Sequence, residues 1–266
     1  MPEFLEISEK ELLERIVTLE NFISHQETKK TNRLTAFASA LALAISIMSG
    51  GLGLYNAFFI APEIKIQADA ISLSSKIDQH REDLAKLNSL PMDATPAQRS
   101  VAEEEVTFGQ AAIMGSVKIS SSEVLSALAG TDLVMLAWIA MMTEEEDISQ
   151  SLANLAINRA ATYGDRMTAK ATLAQSILFF DPPRGEETFY NLFREITESE
   201  SRLRGRAFLG AANQMIQVIS GKRDCTGLSR NWKIMEENYI PLLPESAMLA
   251  DYIEKNVNET LGNLNC

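Results

Sequence analysis

Two histidines and two cysteines are all the imidazole and thiol in this 266-residue chain. Two cysteines cannot complete a four-ligand zinc site by themselves. His25 and His80 fall in segments that read as lying outside the globular part, so no Ser–His or Cys–His pair is expected inside it. The Gly-x-Ser-x-Gly elbow, the phosphate-cradling P-loop and the His-Glu-x-x-His zinc motif are absent. Neither histidine has a glutamate three residues before it, which a di-iron bundle would need. Basic residues are also scarce: 24 Lys and Arg stand against 36 Asp and Glu, a net charge of -12. Counterion release at a phosphate backbone needs a basic face, so nucleic acid is not an expected partner. No catalytic residue, cofactor or metal ligand is expected. Hydrolysis by a carboxylate pair needs only Asp and Glu, and it is the runner-up reading.

What is present begins with an apolar run. Leu34 to Ala61, LTAFASALALAISIMSGGLGLYNAFFIA, holds 28 residues without a charge. At about 1.5 Å rise per residue it exceeds the ~30 Å hydrocarbon core, and only a helix crosses that core alone. A cleaved signal peptide is the competing reading, but more than thirty residues precede the run and its length is about twice that of a signal peptide's apolar region. Lys29, Lys30 and Arg33 precede the run, whereas Lys65 is the only nearby base after it. Positive-inside therefore places the N-terminus in the cytoplasm and the rest beyond an inner or plasma membrane, in a periplasmic or extracellular space. Ala38, Ala42, Ser46 and Gly50 repeat at every fourth position. Such a small-residue face lets two helices approach closely, so self-association in the bilayer is expected there.

The flanks of the span read as helices. Ser8 to Glu11 matches a capping box, and Leu12, Ile16, Leu19 and Ile23 follow at seam spacing in a cytoplasmic tail over 1–33. Beyond the span, Ile66, Ala70, Leu73, Ile77, His80, Leu84 and Leu87 alternate by four and three. Three heptads predict a coiled-coil stalk over 62–90 that joins copies of the chain. The alternative is a single helix packing on its own domain. In the stalk reading, a protonated His80 meets its own copies, and mild acid loosens the assembly. Residues 91–104, with Pro91 and Pro96, read as a linker.

From residue 105 to 266 the periodicity is helical throughout, which predicts an all-α, antiparallel helical domain. Ser120 to Glu123 and Thr143 to Glu146 match capping boxes, and Gly130 is placed to close a helix. LVMLAWIAMM (133–142) is too short to span a bilayer and reads as a buried core helix. Helices are predicted near 186–199, 202–220, 229–239 and 246–262. Tyr190, Phe208 and Trp232 read as core aromatics before they read as a groove.

The stretch 152–183 resembles a tetratricopeptide helix pair. Tyr163, Gly164 and Asp165 fall at its inter-helix turn, Ala169 at the small position of the second helix, and Asp181-Pro182 at its close. Ala153, Ala156 and Ala160 stand where the pattern carries larger residues. The resemblance implies a stack of antiparallel helices and a groove for a protein or peptide. Within that reading Gly164 supplies a left-handed helix cap and Asp165 caps the next helix.

Cys225 and Cys266 both lie on the side read as external, where an oxidising compartment permits a disulfide; two unpaired thiols are the alternative. Taken together, these features predict a single-pass, membrane-anchored homo-oligomer. Its partners are the lipid bilayer and a protein docked by the outer helical domain. The other readings are a carboxylate-dependent cell-wall hydrolase and a sensor coupling the outer domain to the tail.

Overall fold

The computed structural model describes residues 60–91 and 93–266. The tail over 1–33, nearly all of the expected span and its face of Ala38, Ala42, Ser46 and Gly50 lie outside those residues. Among the described residues every regular element is helical, and no helix is long and apolar enough to cross a membrane. The helices are α1 (Ala61–Asn88), α2 (Pro96–Ile119), α3 (Ser122–Ala127), α4 (Gly130–Met142), α5 (Glu146–Arg159), α6 (Tyr163–Phe180), α7 (Pro182–Glu198), α8 (Arg204–Gly221), α9 (Cys225–Asn238) and α10 (Ser246–Asn263). A single 3₁₀ turn, Ile240–Leu242, joins the last two. Residues Lys65–Cys266 form one compact unit.

The expected stalk is part of that unit. Ala70, Leu73 and Ile77 are buried in a core shared with Ile113 and Val117 of α2 and Leu133, Leu136 and Ala140 of α4. His80 is buried beside them, Ile66 packs against the same cluster, and Leu84 and Leu87 are half-buried. The heptad pattern is therefore real, but the seam faces the chain's own helices rather than a second copy. A period of 3.5 describes any helix burying one stripe, and it does not say against what. Polar bonds fix the placement. Asp132, 6% exposed on α4, accepts from Ser74 at 2.8 Å and from Arg81 at 2.9 Å, both on α1. Lys76 donates to Ser116 on α2 at 2.7 Å.

Several boundaries differ from the sequence expectation, each for a local reason. The linker is short, because Thr95 and Gln98 make a capping box with Pro96 in the first turn of α2. Ser121, not Ser120, caps α3 by accepting from the Val124 amide. Gly130 opens α4 instead of closing its predecessor, and Asp132 in the first turn points inward to Arg81. Thr143 bonds back to the carbonyls of Ile139 and Ala140, ending α4 instead of starting α5.

From α4 onward, short turns fold each helix back along the one before it. Ser149 on α5 donates to the Ala137 carbonyl of α4 at 2.8 Å in a fully buried contact. The α6–α7 corner is the tightest. Asp181 both ends α6 and caps α7, with Pro182 following it in the first turn. A β-carbon on Gly185 would stand 2.1 Å from the Leu178 Cα, so only glycine lets α7 lie this close to α6. Phe189, Leu192, Phe193 and Ile196, spaced i, i+3, i+4 and i+7, are buried and bring α7 onto the second core cluster. There Phe193 meets Phe208 of α8 at 4.7 Å between ring centroids.

α6 belongs to both cores. Ala169 faces the first cluster, whereas Met167, Ala171, Ala174 and Leu178 face the second. Its small residues permit helices on every side. Lys222, just past α8, donates to the Leu178 and Phe179 carbonyls and closes the C-terminus of α6; burial pulls its ammonium below its usual range. Tyr190 of α7 donates to Asn231 of α9 at 2.5 Å, and burial holds its phenol at about 12, neutral at any ordinary pH. Cys225, which opens α9, is joined to Cys266 with their Cα atoms 6.1 Å apart, and this bond ties down the C-terminus.

Candidate functional site

The second helix of each turn-linked pair does not sit where the first does. α4 packs on α6 and α6 on α8, so these three make one layer, with α5 and α7 behind them. The exposed side of the layer carries three stripes at helical spacing. Thr131, Val134, Met135 and Trp138 come from α4, Thr168, Thr172 and Gln175 from α6, and Gly210, Gln214 and Gln217 from α8.

These stripes enclose three depressions. One, of about 240 Å³, lies over Trp138, Met135, Thr172, Gln175, Gln214 and Gln217, with Leu84 of α1 as an edge. A second, of about 360 Å³, lies among the N-terminal turns of α4 and α6 and the end of α5, beside Arg159 and Asp165. A third, of about 130 Å³, follows the α6–α8 seam past Met167, Ala207 and Gln214 to Leu203 and Arg206. They adjoin one another. Thr131 and Val134 border the first and second, Thr168 the second and third, and Gln214 the first and third. Together they form one groove.

Its middle is uncharged. The 240 Å³ depression has an apolar floor and three glutamine amides, without an ionisable side chain. Gln175 is only 4% exposed, and the Gln214 Oε1 is buried without a partner. An unsatisfied buried amide oxygen costs about 1–3 kcal/mol unless the side chain turns to meet a donor. A glutamine presents an acceptor and two donors, matching the acceptor and donor of a peptide unit. Such a lining suits polypeptide backbone and apolar side chains. It gives a phosphate or polyanion no counter-charge.

Of the residues of the tetratricopeptide-like unit, Gly164, Asp165 and Ala169 fall at this groove, Tyr163 and Pro182 do not, and the turn residues have other roles. Thr162, not Asp165, caps α6 by accepting from the Asp165 amide at 3.1 Å. Gly164 sits in the first turn of α6, and no described glycine has a positive φ, so it is not a left-handed cap. Gly164 borders the third depression, and Asp165 and Ala169 border the second. Tyr163 packs against the C-terminal core with its hydroxyl buried and unpartnered. Pro182 lies away from the groove, at the start of α7.

The aromatic residues weighed for a groove belong elsewhere. Phe208 is fully buried, and Tyr190 and Trp232 pack against the C-terminal core. His80 lies in the core of the domain, not outside the globular part. It is 1% exposed inside the domain, between α2 and Trp138 of α4, whose ring centroid is 6.5 Å away. Neither of its ring nitrogens has a hydrogen-bond partner. Burial lowers its pKa below the usual histidine value, and the nearby Asp83 carboxylate partly opposes this. Among the described residues, no group of three or more His, Cys, Asp or Glu side chains is placed to hold a metal ion.

The groove was missed in the sequence although a signal exists. Outward stripes of α7, α9 and α10 carry Glu, Lys and Arg, whereas the parts of α4, α6 and α8 that line the 240 Å³ depression carry Thr, Gln and apolar residues. A polar helix face without charge marks the middle of the groove. No family model matches the chain, and no curated protein or solved structure matches it either.

Proposed function

We propose that this protein is a single-pass, membrane-anchored, oligomeric scaffold whose helical domain stands outside the cytoplasm and docks a polypeptide along the α4–α6–α8 groove. The observation that carries the reading is the uncharged, glutamine-lined groove beside half-buried Trp138 and Met135. Trp138 supplies the rigid apolar anchor, and Gln175, Gln214 and Gln217 hold the backbone of the bound segment. Three further facts support the topology. The charge-free run Leu34–Ala61 suits an anchor, the basic residues before it orient that anchor, and the Cys225–Cys266 bond suits an oxidising space. Docking is preferred to carboxylate-pair hydrolysis because, among the described residues, Asp165 is the only carboxylate bordering these depressions.

In-cell photocrosslinking tests the docking. A photoreactive side chain at Gln217 or Thr168 should give a discrete adduct, and one at the exposed Asn154 of α5 should give none. Equal labelling at the three positions, or none in the groove, would refute it. A reporter fused to the C-terminus tests the topology, and activity confined to the cytoplasm would overturn the anchor reading.

A further inference from the structure

α2 has two apolar faces, and only one is used. Val106, Ile113, Met114 and Val117 are buried in the core. On the opposite side Val101, Phe108, Ala112, Gly115 and Ile119 form a second stripe, spaced by 7, 4, 3 and 4. Phe108 is 72% exposed and Ile119 86%. Nothing lies within 4 Å of where a β-carbon of Gly115 would be. A solvated helix face rarely leaves a phenylalanine and an isoleucine this open.

We propose that this face of α2 is a homodimer contact, in which α2 pairs antiparallel with α2 of a second copy. Shape selects that occupant. With the two-fold axis beside Ala112, each Phe108 ring falls on the other copy's Gly115, so the largest side chain of the stripe meets its smallest residue, over which nothing lies within 4 Å. The small Ala112 side chains at the axis let the backbones approach. A parallel pair would instead oppose Phe108 to Phe108 and leave each Gly115 facing the other.

One helix pair buries less than the ~1,600 Å² of a standard interface. Anchoring in one bilayer compensates by raising the effective concentration. That step rests on the membrane-anchor reading above; the surface itself does not.

The test uses the full chain in its native membrane. Ala112→Cys, oxidised, should give a disulfide-linked band of twice the monomer mass, and Thr107→Cys, off the stripe, should not. In the Ala112→Cys background, Phe108→Ala should cut the linked fraction, corresponding to association at least roughly tenfold weaker. Gly115→Phe should cut it too, because two large rings then meet. Phe108→Ala together with Gly115→Phe should restore it, since the ring has moved to the opposite side of the same contact. All three positions are exposed in the monomer, so the fold is retained, as far-UV circular dichroism would check. Absence of the linked band, linkage to a different protein, or a double variant no better than the singles would overturn the proposal. An oligomer that persists through the span while the Ala112→Cys link is lost would overturn this contact and leave the scaffold reading standing.

Discussion

Replacing His80 by leucine should stabilise the protein and flatten its response to acid. The imidazole is sealed from solvent, and both ring nitrogens lack partners. It is tightly held as well, since a β-carbon on Gly109 of α2 would stand 3.1 Å from its Nδ1. A neutral imidazole carries one donor and one acceptor, and leaving either unsatisfied costs about 1–3 kcal/mol. Leucine has similar volume and no polar atom, so the gain at neutral pH should be about 1–3 kcal/mol. For a unit of this size, that raises the melting temperature by roughly 2–4 °C per kcal/mol.

The pH response follows from linkage. Burial lowers the folded-state pKa of His80 below its unfolded value. The unfolded chain therefore binds the proton first as pH falls, and stability declines from about pH 6.5 down through the folded pKa. The charged groups around the ring are few. Asp83 on α1 is held by Lys86, Glu105 lies on α2 near Lys86, and Asp132 on α4 is committed to Arg81 and Ser74. Only the Asp83 carboxylate opposes the effect of burial. Thermal or urea unfolding of the detergent-solubilised full chain between pH 7.5 and 5 measures this, with Trp138 as a nearby fluorescent reporter. A leucine variant less stable than the parent at pH 7.5, or one with the parent's acid slope, would refute the reasoning. Acid here acts on the attachment of α1 to its own domain, not on a seam between copies.

Other perturbations probe separate parts of the fold. Gly185→Ala forces a β-carbon onto the Leu178 backbone and should cost at least about 3 kcal/mol; a neutral result in urea unfolding would mean α7 lies farther from α6. Reducing the Cys225–Cys266 bond opens a link spanning 41 residues and should cost roughly 3–4 kcal/mol, seen as a lower melting temperature with reductant. Two freely alkylated thiols in protein taken directly from cells would contradict the bond. Asp132→Ala removes the acceptor for Ser74 and Arg81; with Arg81 one-third exposed (33%), the expected loss is about 1–3 kcal/mol. It should appear as faster amide exchange in α1, and unchanged protection there would mean that apolar packing alone holds that helix.

The sequence showed the elements better than their partners. Phe189, Leu192, Phe193 and Ile196 announce α7 and its buried face, and the run 133–142 announces a core helix, because amphipathicity and burial are written into residue order. Caps were less legible. Ser120 and Thr143 match the capping-box pattern, yet Ser121 and Glu145, which do not, stand at the helix starts, and the choice falls to how the preceding chain arrives. The α1 stripe shows the larger gap. Ile66 to Leu87 specify a buried face with seam spacing, but a second copy and the chain's own α2 and α4 would satisfy that face equally well.

Residue order alone thus determined the helical class, the apolar run before the domain, the deficit of basic charge and most helix positions. All of these depend on interactions within a few turns or on transfer from water, which a linear pattern encodes. Which face meets which depended on contacts far apart in the chain. The burial of His80, the Asp132–Arg81 tie and the groove across α4, α6 and α8 exist only once helices far apart in the chain lie side by side. Side-chain periodicity specifies that a surface must leave water, and tertiary packing decides what replaces the water.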